Sequence, residues 1–187
     1  MDAPASQWFP DEPGRNAAEA AYLDQLRQEA ADWTVAGICP EDTASQVWFT
    51  PLYLELEIPG LAVPQNTLQV AYWTNHPRGH ALDGMWGDEH LLDNPHREDL
   101  TACGATVDPE ECASWTAAWL LRQLRRSIVR QEWLSGDRVV AATWRFDDTG
   151  RVLHATGSSR RRFLRRRADR VVEVRWWEAP VVRRRAV

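Results

Sequence analysis

A chain of 187 residues, 44% of them apolar, can bury one substantial core, so neither disulfides nor a structural metal is needed to hold it together. Its three cysteines, Cys39, Cys103 and Cys112, are odd in number and form no CxxC pair, which argues against a disulfide framework and for a reducing compartment. No stretch reaches the ~18 uncharged apolar residues of a membrane span. Met1-Asp2-Ala3-Pro4 lacks the basic-then-apolar start of a signal peptide, so the expected location is the cytoplasm.

The net charge of −5 conceals a strong polarity. Residues 1–121 hold 20 acidic and 4 basic side chains, a net of −16, whereas residues 122–187 hold 7 and 18, a net of +11. Such asymmetry fits an acidic or nucleic-acid partner, or two halves that fold together and neutralise each other. Every basic residue is arginine, as a GC-rich bacterial genome would produce. Eleven tryptophans are unusual for this length. Trp serves as core filler, but it is also enriched where proteins meet other molecules.

In chain order, residues 1–14 read as a flexible proline-containing tail with Trp8-Phe9 as a docking point. A helix is predicted from Asn16 to about Val35, with Leu23, Leu26, Ala30 and Trp33 on one face and an Asn16/Glu19 capping box. Gly37 and Pro40 close it. Residues 46–58 read as one strand, with Leu52, Leu54, Leu56 and Ile58 on one side, and Pro51 placing it at an edge or bulge. A second strand is expected near 67–74. Residues 75–108 read as a long loop with a short strand at His90-Leu91-Leu92.

The second helix has the clearest signals: Asp108 as N-cap, Pro109 at the first position, and Glu111 to close a capping box, running to about Arg126. Strands follow near 128–134 and 138–146, joined by Ser135-Gly136-Asp137, then at 151–155 and 170–177. Short connections favour antiparallel neighbours. The expected fold is therefore α+β, a mainly antiparallel sheet of about five to seven strands with two principal helices packed on one face. A single domain spans 15–180, followed by an Arg-rich tail at 181–187.

Four features could carry function. His76, His80, His90 and His96, interleaved with Asp83, Asp88, Glu89 and Asp93, have ligand chemistry for zinc, iron or nickel, yet match no known ligand spacing. They are also compatible with a solvated polar loop. Arg160, Arg161, Arg162, Arg165, Arg166 and Arg167 surround Phe163-Leu164 and would attract phosphate in a salt-sensitive way, although no nucleic-acid-binding fold signature accompanies them. Cys112, in the first turn of the second helix, could have its thiol pKa lowered by the helix dipole, or be a passive helix residue.

On that helix, Ala113, Ala117, Leu120, Leu121 and Leu124 occupy one sector, and Trp115 and Trp119 lie roughly opposite, near Arg122 and Arg126. The indole pair is either covered by another segment, such as Trp8-Phe9, or presented to a partner. The sequence therefore points to a non-catalytic intracellular interaction protein of adaptor, chaperone-like or immunity-like character. Its partner is another protein or a second copy, contacted through Trp115, Trp119, Arg122 and Arg126, and no cofactor is expected. The alternatives are a nucleic-acid binder using Arg160–Arg167 and a metal-dependent enzyme using the 76–96 loop.

Overall fold

The computed structural model describes residues 7–10, 13–35, 37–47, 51–58, 67–87, 98–157 and 167–174. Helix α1 spans Ala17–Ala30. Asn16 has extended backbone, and its side chain accepts the Glu19 N–H at 3.0 Å. The buried Glu19 carboxylate reaches back past the N-cap to accept the Arg15 N–H at 2.8 Å, so only the Asn16 half of the expected capping box forms as predicted. The helix ends before Val35. It stops at Ala30, where the Trp33 N–H turns back to the Ala30 carbonyl; Gly37, expected to close the helix, lies in the connection beyond it with a left-handed backbone (φ +78°).

The region predicted as one strand over 46–58 is two strands, and that reading is corrected. Strand β1 (Thr43–Val47) and strand β2 (Leu52–Glu57) pair antiparallel, Ser45 opposite Leu54. Pro51, with no N–H to donate, stands in the connection just before β2. β1 lacks the apolar alternation of a strand because its inward residues, Thr43 and Ser45, are polar. Buried Thr43 accepts the Phe9 N–H at 2.8 Å and donates to the Pro40 carbonyl at 2.6 Å, and the Ser45 hydroxyl donates to the Pro10 carbonyl. The tail segment Trp8-Phe9 is therefore buried against β1. Both rings pack edge-on against Trp33, at 5.3 and 6.2 Å.

Strand β3 (Thr67–His76) pairs with β2, and the supposed loop over 75–108 contains two further strands. β4 (Gly79–Trp86) follows β3 through a tight turn, and β5 (Leu100–Ala105) closes a five-stranded antiparallel meander, β1-β2-β3-β4-β5. The expected strand at His90-Leu91-Leu92 lies outside the described residues. β4 was concealed by Asp83 and Gly84, both at buried positions. Gly84 is small for a reason: a Cβ there would stand 3.1 Å from the Trp119 ring.

Helix α2 spans Pro109–Leu124. Asp108 is its N-cap, but the predicted capping box does not form. The Asp108 backbone carbonyl, not its side chain, accepts the Glu111 and Cys112 N–H groups. Four strands, β6 (Ile128–Ser135), β7 (Arg138–Phe146), β8 (Val152–Thr156) and β9 (Arg170–Val174), make a second antiparallel sheet in the order β8-β7-β6-β9.

The α+β class and antiparallel pairing are as the sequence implies, with the strands among the described residues divided between sheets of five and four. α1 and α2 pack together and on one face of the first sheet. Tyr22 stacks on Tyr72 at 4.2 Å, and Leu52, Leu54, Leu56, Leu68 and Val70 line that face with almost no exposure. Burying each such side chain contributes about 1.5–3 kcal/mol. The same apolar cluster continues into the second sheet through Ile128, Trp144 and Phe146, with Trp86 edge-on to Phe146 at 5.4 Å.

Candidate functional site

α2 has a buried arc and an exposed stripe. Cys112, Ala113, Thr116, Ala117, Trp119, Leu120, Gln123 and Leu124 are buried between α1 and the first sheet. At about 100° per residue these positions cover an arc of roughly 160°, wider than the Leu sector marked out by sequence and turned away from Leu121, which is only half-buried at its border. The two indoles consequently separate. Trp119, 2% exposed, falls just inside the arc, packs beside Gly84 and donates its ring N–H to the Glu98 carbonyl at 2.9 Å. Trp115 lies about 40° further round and is 37% exposed, the bulkiest exposed apolar side chain among the described residues. Trp8-Phe9 covers neither; it covers Trp33.

The arginines beside these rings also differ. Arg122 is exposed. Arg126 is engaged within the fold. Its guanidinium forms a two-point contact with Asp148 (3.0 and 2.7 Å), bonds Glu98 at 2.9 Å and lies 3.5 Å over the Phe146 ring. Hydrogen bonds from Arg126 hold the carboxyls of Glu98 and Asp148 below their ordinary range.

Of the arginine run, Arg160, Arg161, Arg162, Arg165 and Arg166 lie outside the described residues, and Arg167 is exposed. Arg170 and Arg130 both contact Glu132, whose carboxyl is buried. Burial pushes that carboxyl up, but the Arg170 hydrogen bond and the nearby Arg130 charge outweigh it and leave it below its usual range.

Of the four histidines, His90 and His96 lie outside the described residues. His76 and His80 do not converge. His80 is turned onto Tyr72, Nδ1 to hydroxyl 3.0 Å. His76 instead meets Cys103, Sγ to Nε2 3.3 Å, a pairing 27 residues apart that spacing alone does not reveal. Strand register creates it. A slip between His80 and Ala81 makes Gly104 (φ +74°) the extra residue of β5, and a Cβ there would stand 2.8 Å from the Arg78 Cβ. Such an edge bulge re-aims its neighbour, and an imidazole beside a thiol can accept its proton. Among the described residues no group of three or more His, Cys, Asp or Glu is arranged to hold a metal.

The other thiols are suppressed. Cys112 is buried, which pushes its thiol up to about 11, Glu111 adding to the effect, so desolvation prevails over the helix dipole. Cys39 is raised to about 12 by partial burial and by hydrogen bonds to Asp42 and Glu41. Comparison with protein-family models, with curated proteins and with solved structures gave no match.

Proposed function

We propose that the chain is a non-catalytic protein-interaction protein, adaptor-, chaperone- or immunity-like, that binds its partner through the outward stripe of α2. The observation that carries this reading is the 37% exposure of Trp115 in the middle of a helix whose opposite side is packed on both α1 and the first sheet. A rigid helix presents the indole without the ordering cost of a loop, and Trp beside arginine is the composition of interface hot spots. Trp119 and Arg126, anchored inside the fold, fix the helix that displays Trp115 and Arg122. The all-arginine basic composition and the free thiols of Cys39, Cys103 and Cys112 fit a bacterial cytoplasm, which is part of the same proposal.

The test compares the two tryptophans. Trp115→Ser should cost about 1–2 kcal/mol, for the covered part of an indole that is 37% exposed, while abolishing association in size-exclusion and pull-down measurements. Trp119→Ala should cost about 3–5 kcal/mol in urea unfolding, as for a buried aromatic. Association that survives Trp115→Ser undiminished retires the reading.

A further inference from the structure

Of the exposed positions of α2 and its caps, Glu110 stands apart, and the other six, Asp108, Glu111, Trp115, Ala118, Arg122 and Arg125, are spaced +3, +4, +3, +4, +3. At about 100° per residue that alternation keeps the six positions within a stripe roughly 100° wide, the spacing at which two packed helices face each other, here with an apolar centre of Trp115 and Ala118 between charged ends. The stripe also reads in complementary fashion from its two ends. Turned end for end about a point between Thr116 and Ala117, it sets Asp108 opposite Arg125, Glu111 opposite Arg122, and Trp115 opposite Ala118. Acid meets base at both outer levels, and the one large side chain meets the one small one at the centre.

We propose that the partner of this surface is a second copy of the chain, with the two α2 helices packed antiparallel about a twofold axis through the Thr116/Ala117 level. The inference rests on the interaction reading above and names the occupant of that same surface. A twofold interface must be self-complementary, residue i meeting j while j meets i, and this stripe satisfies that at all three levels. Each dimer gains two Asp108–Arg125 pairs, two Glu111–Arg122 pairs and two Trp115–Ala118 contacts, the indole of one copy seated over the methyl group of the other. Parallel packing would instead set Glu111 against Glu111 and Arg122 against Arg122, so charge selects the antiparallel arrangement. One short helix per copy buries less than a standard interface, so the dimer is weak and concentration-dependent. Because its charge pairs are exposed, added salt weakens it.

The experiment is sedimentation equilibrium on the full chain over a wide concentration range, at low and high salt, with charge reversal. Glu111→Arg or Arg122→Glu alone turns both Glu111–Arg122 pairs into like-charge contacts and should weaken the dimer about tenfold. The double variant carrying both reversals re-forms the pairs in the opposite sense and should restore affinity to near wild type. Both reversals run against the helix dipole, so a thermal melt of each variant separates loss of the dimer from loss of the fold. A chain that stays monomeric throughout overturns the inference, and so does a dimer indifferent to the single reversals or not rescued by the double. Should the chain be monomeric while Trp115→Ser still abolishes capture of a different protein, the interaction reading stands with another occupant. Should Trp115→Ser change neither measurement, both readings fall together.

Discussion

Arg126 joins three parts of the chain with one side chain. It leaves the end of α2, stacks on Phe146 of β7, and bonds Glu98 ahead of β5 and Asp148 in the β7–β8 turn. Its side chain is 10% exposed whereas that of Asp148 is 57% exposed, so the Asp148 contact is well screened and the Phe146 stacking with the Glu98 bond dominates. Arg126→Ala should therefore cost about 2–3 kcal/mol, the range for losing a largely desolvated charge with its hydrogen bonds. Arg126→Lys should recover little of this, because an ammonium can neither stack nor bond two carboxylates in a planar fork. Urea unfolding of the two variants checks both expectations, and a lysine variant as stable as wild type would remove the geometric argument.

Among the elements, the segment around Trp8-Phe9 behaves as part of the domain. Phe9 is wholly buried with φ +50°, a left-handed conformation uncommon for a residue with a side chain, and Arg27 of α1 donates twice to its carbonyl. That conformation persists because Thr43, Ser45 and Arg27 bond the backbone there while Trp33 closes over the rings. Phe9→Ala should cost about 3–5 kcal/mol and make the segment sensitive to limited proteolysis. A variant with native stability and an unchanged cleavage pattern would show that the contact contributes nothing. Elements with local punctuation were legible in sequence: α2 from Asp108-Pro109, and the β6–β7 hairpin from Ser135-Gly136-Asp137. β4 was not, since Asp83 and Gly84 occupy inward or covered positions and break the alternation by which a strand is recognised.

Across the whole molecule, the acidic and basic halves do meet. Arg126–Glu98, Arg151–Glu98 and Arg151–Asp99 each join an arginine from the C-terminal part to a carboxylate from the N-terminal part. Glu19, Glu98, Glu132 and Asp148 all sit below their ordinary values in the folded chain. The unfolded chain therefore binds more protons at these groups than the folded one. Their contribution is complete above the ordinary carboxylate range and is lost as pH falls through the lowered folded values. Glu55 has the opposite sign: burial and the neighbouring Glu57 raise it, so its penalty at neutral pH is relieved by acid. Four groups outweigh one, and stability should fall steadily from pH 5 downward. Thermal melts across that range measure it, and Arg126→Ala should flatten the part that belongs to Glu98 and Asp148. A stability profile that is level or rising toward acid would contradict the assignment.

Sequence alone determined the α+β class, the limits of α2 and the Leu side of that helix, because each depends on periodicity and capping within a few residues. It could not tell Trp115 from Trp119, four residues apart on one wheel, since which indole is buried depends on how far α1 and the first sheet wrap around α2. It could not join Cys103 to His76, or Trp8-Phe9 to Trp33, because those contacts depend on strand register and on where a distant segment docks. Local signals travel a turn or a strand length along the chain. The surface left over for a partner is decided by what the rest of the fold has already covered.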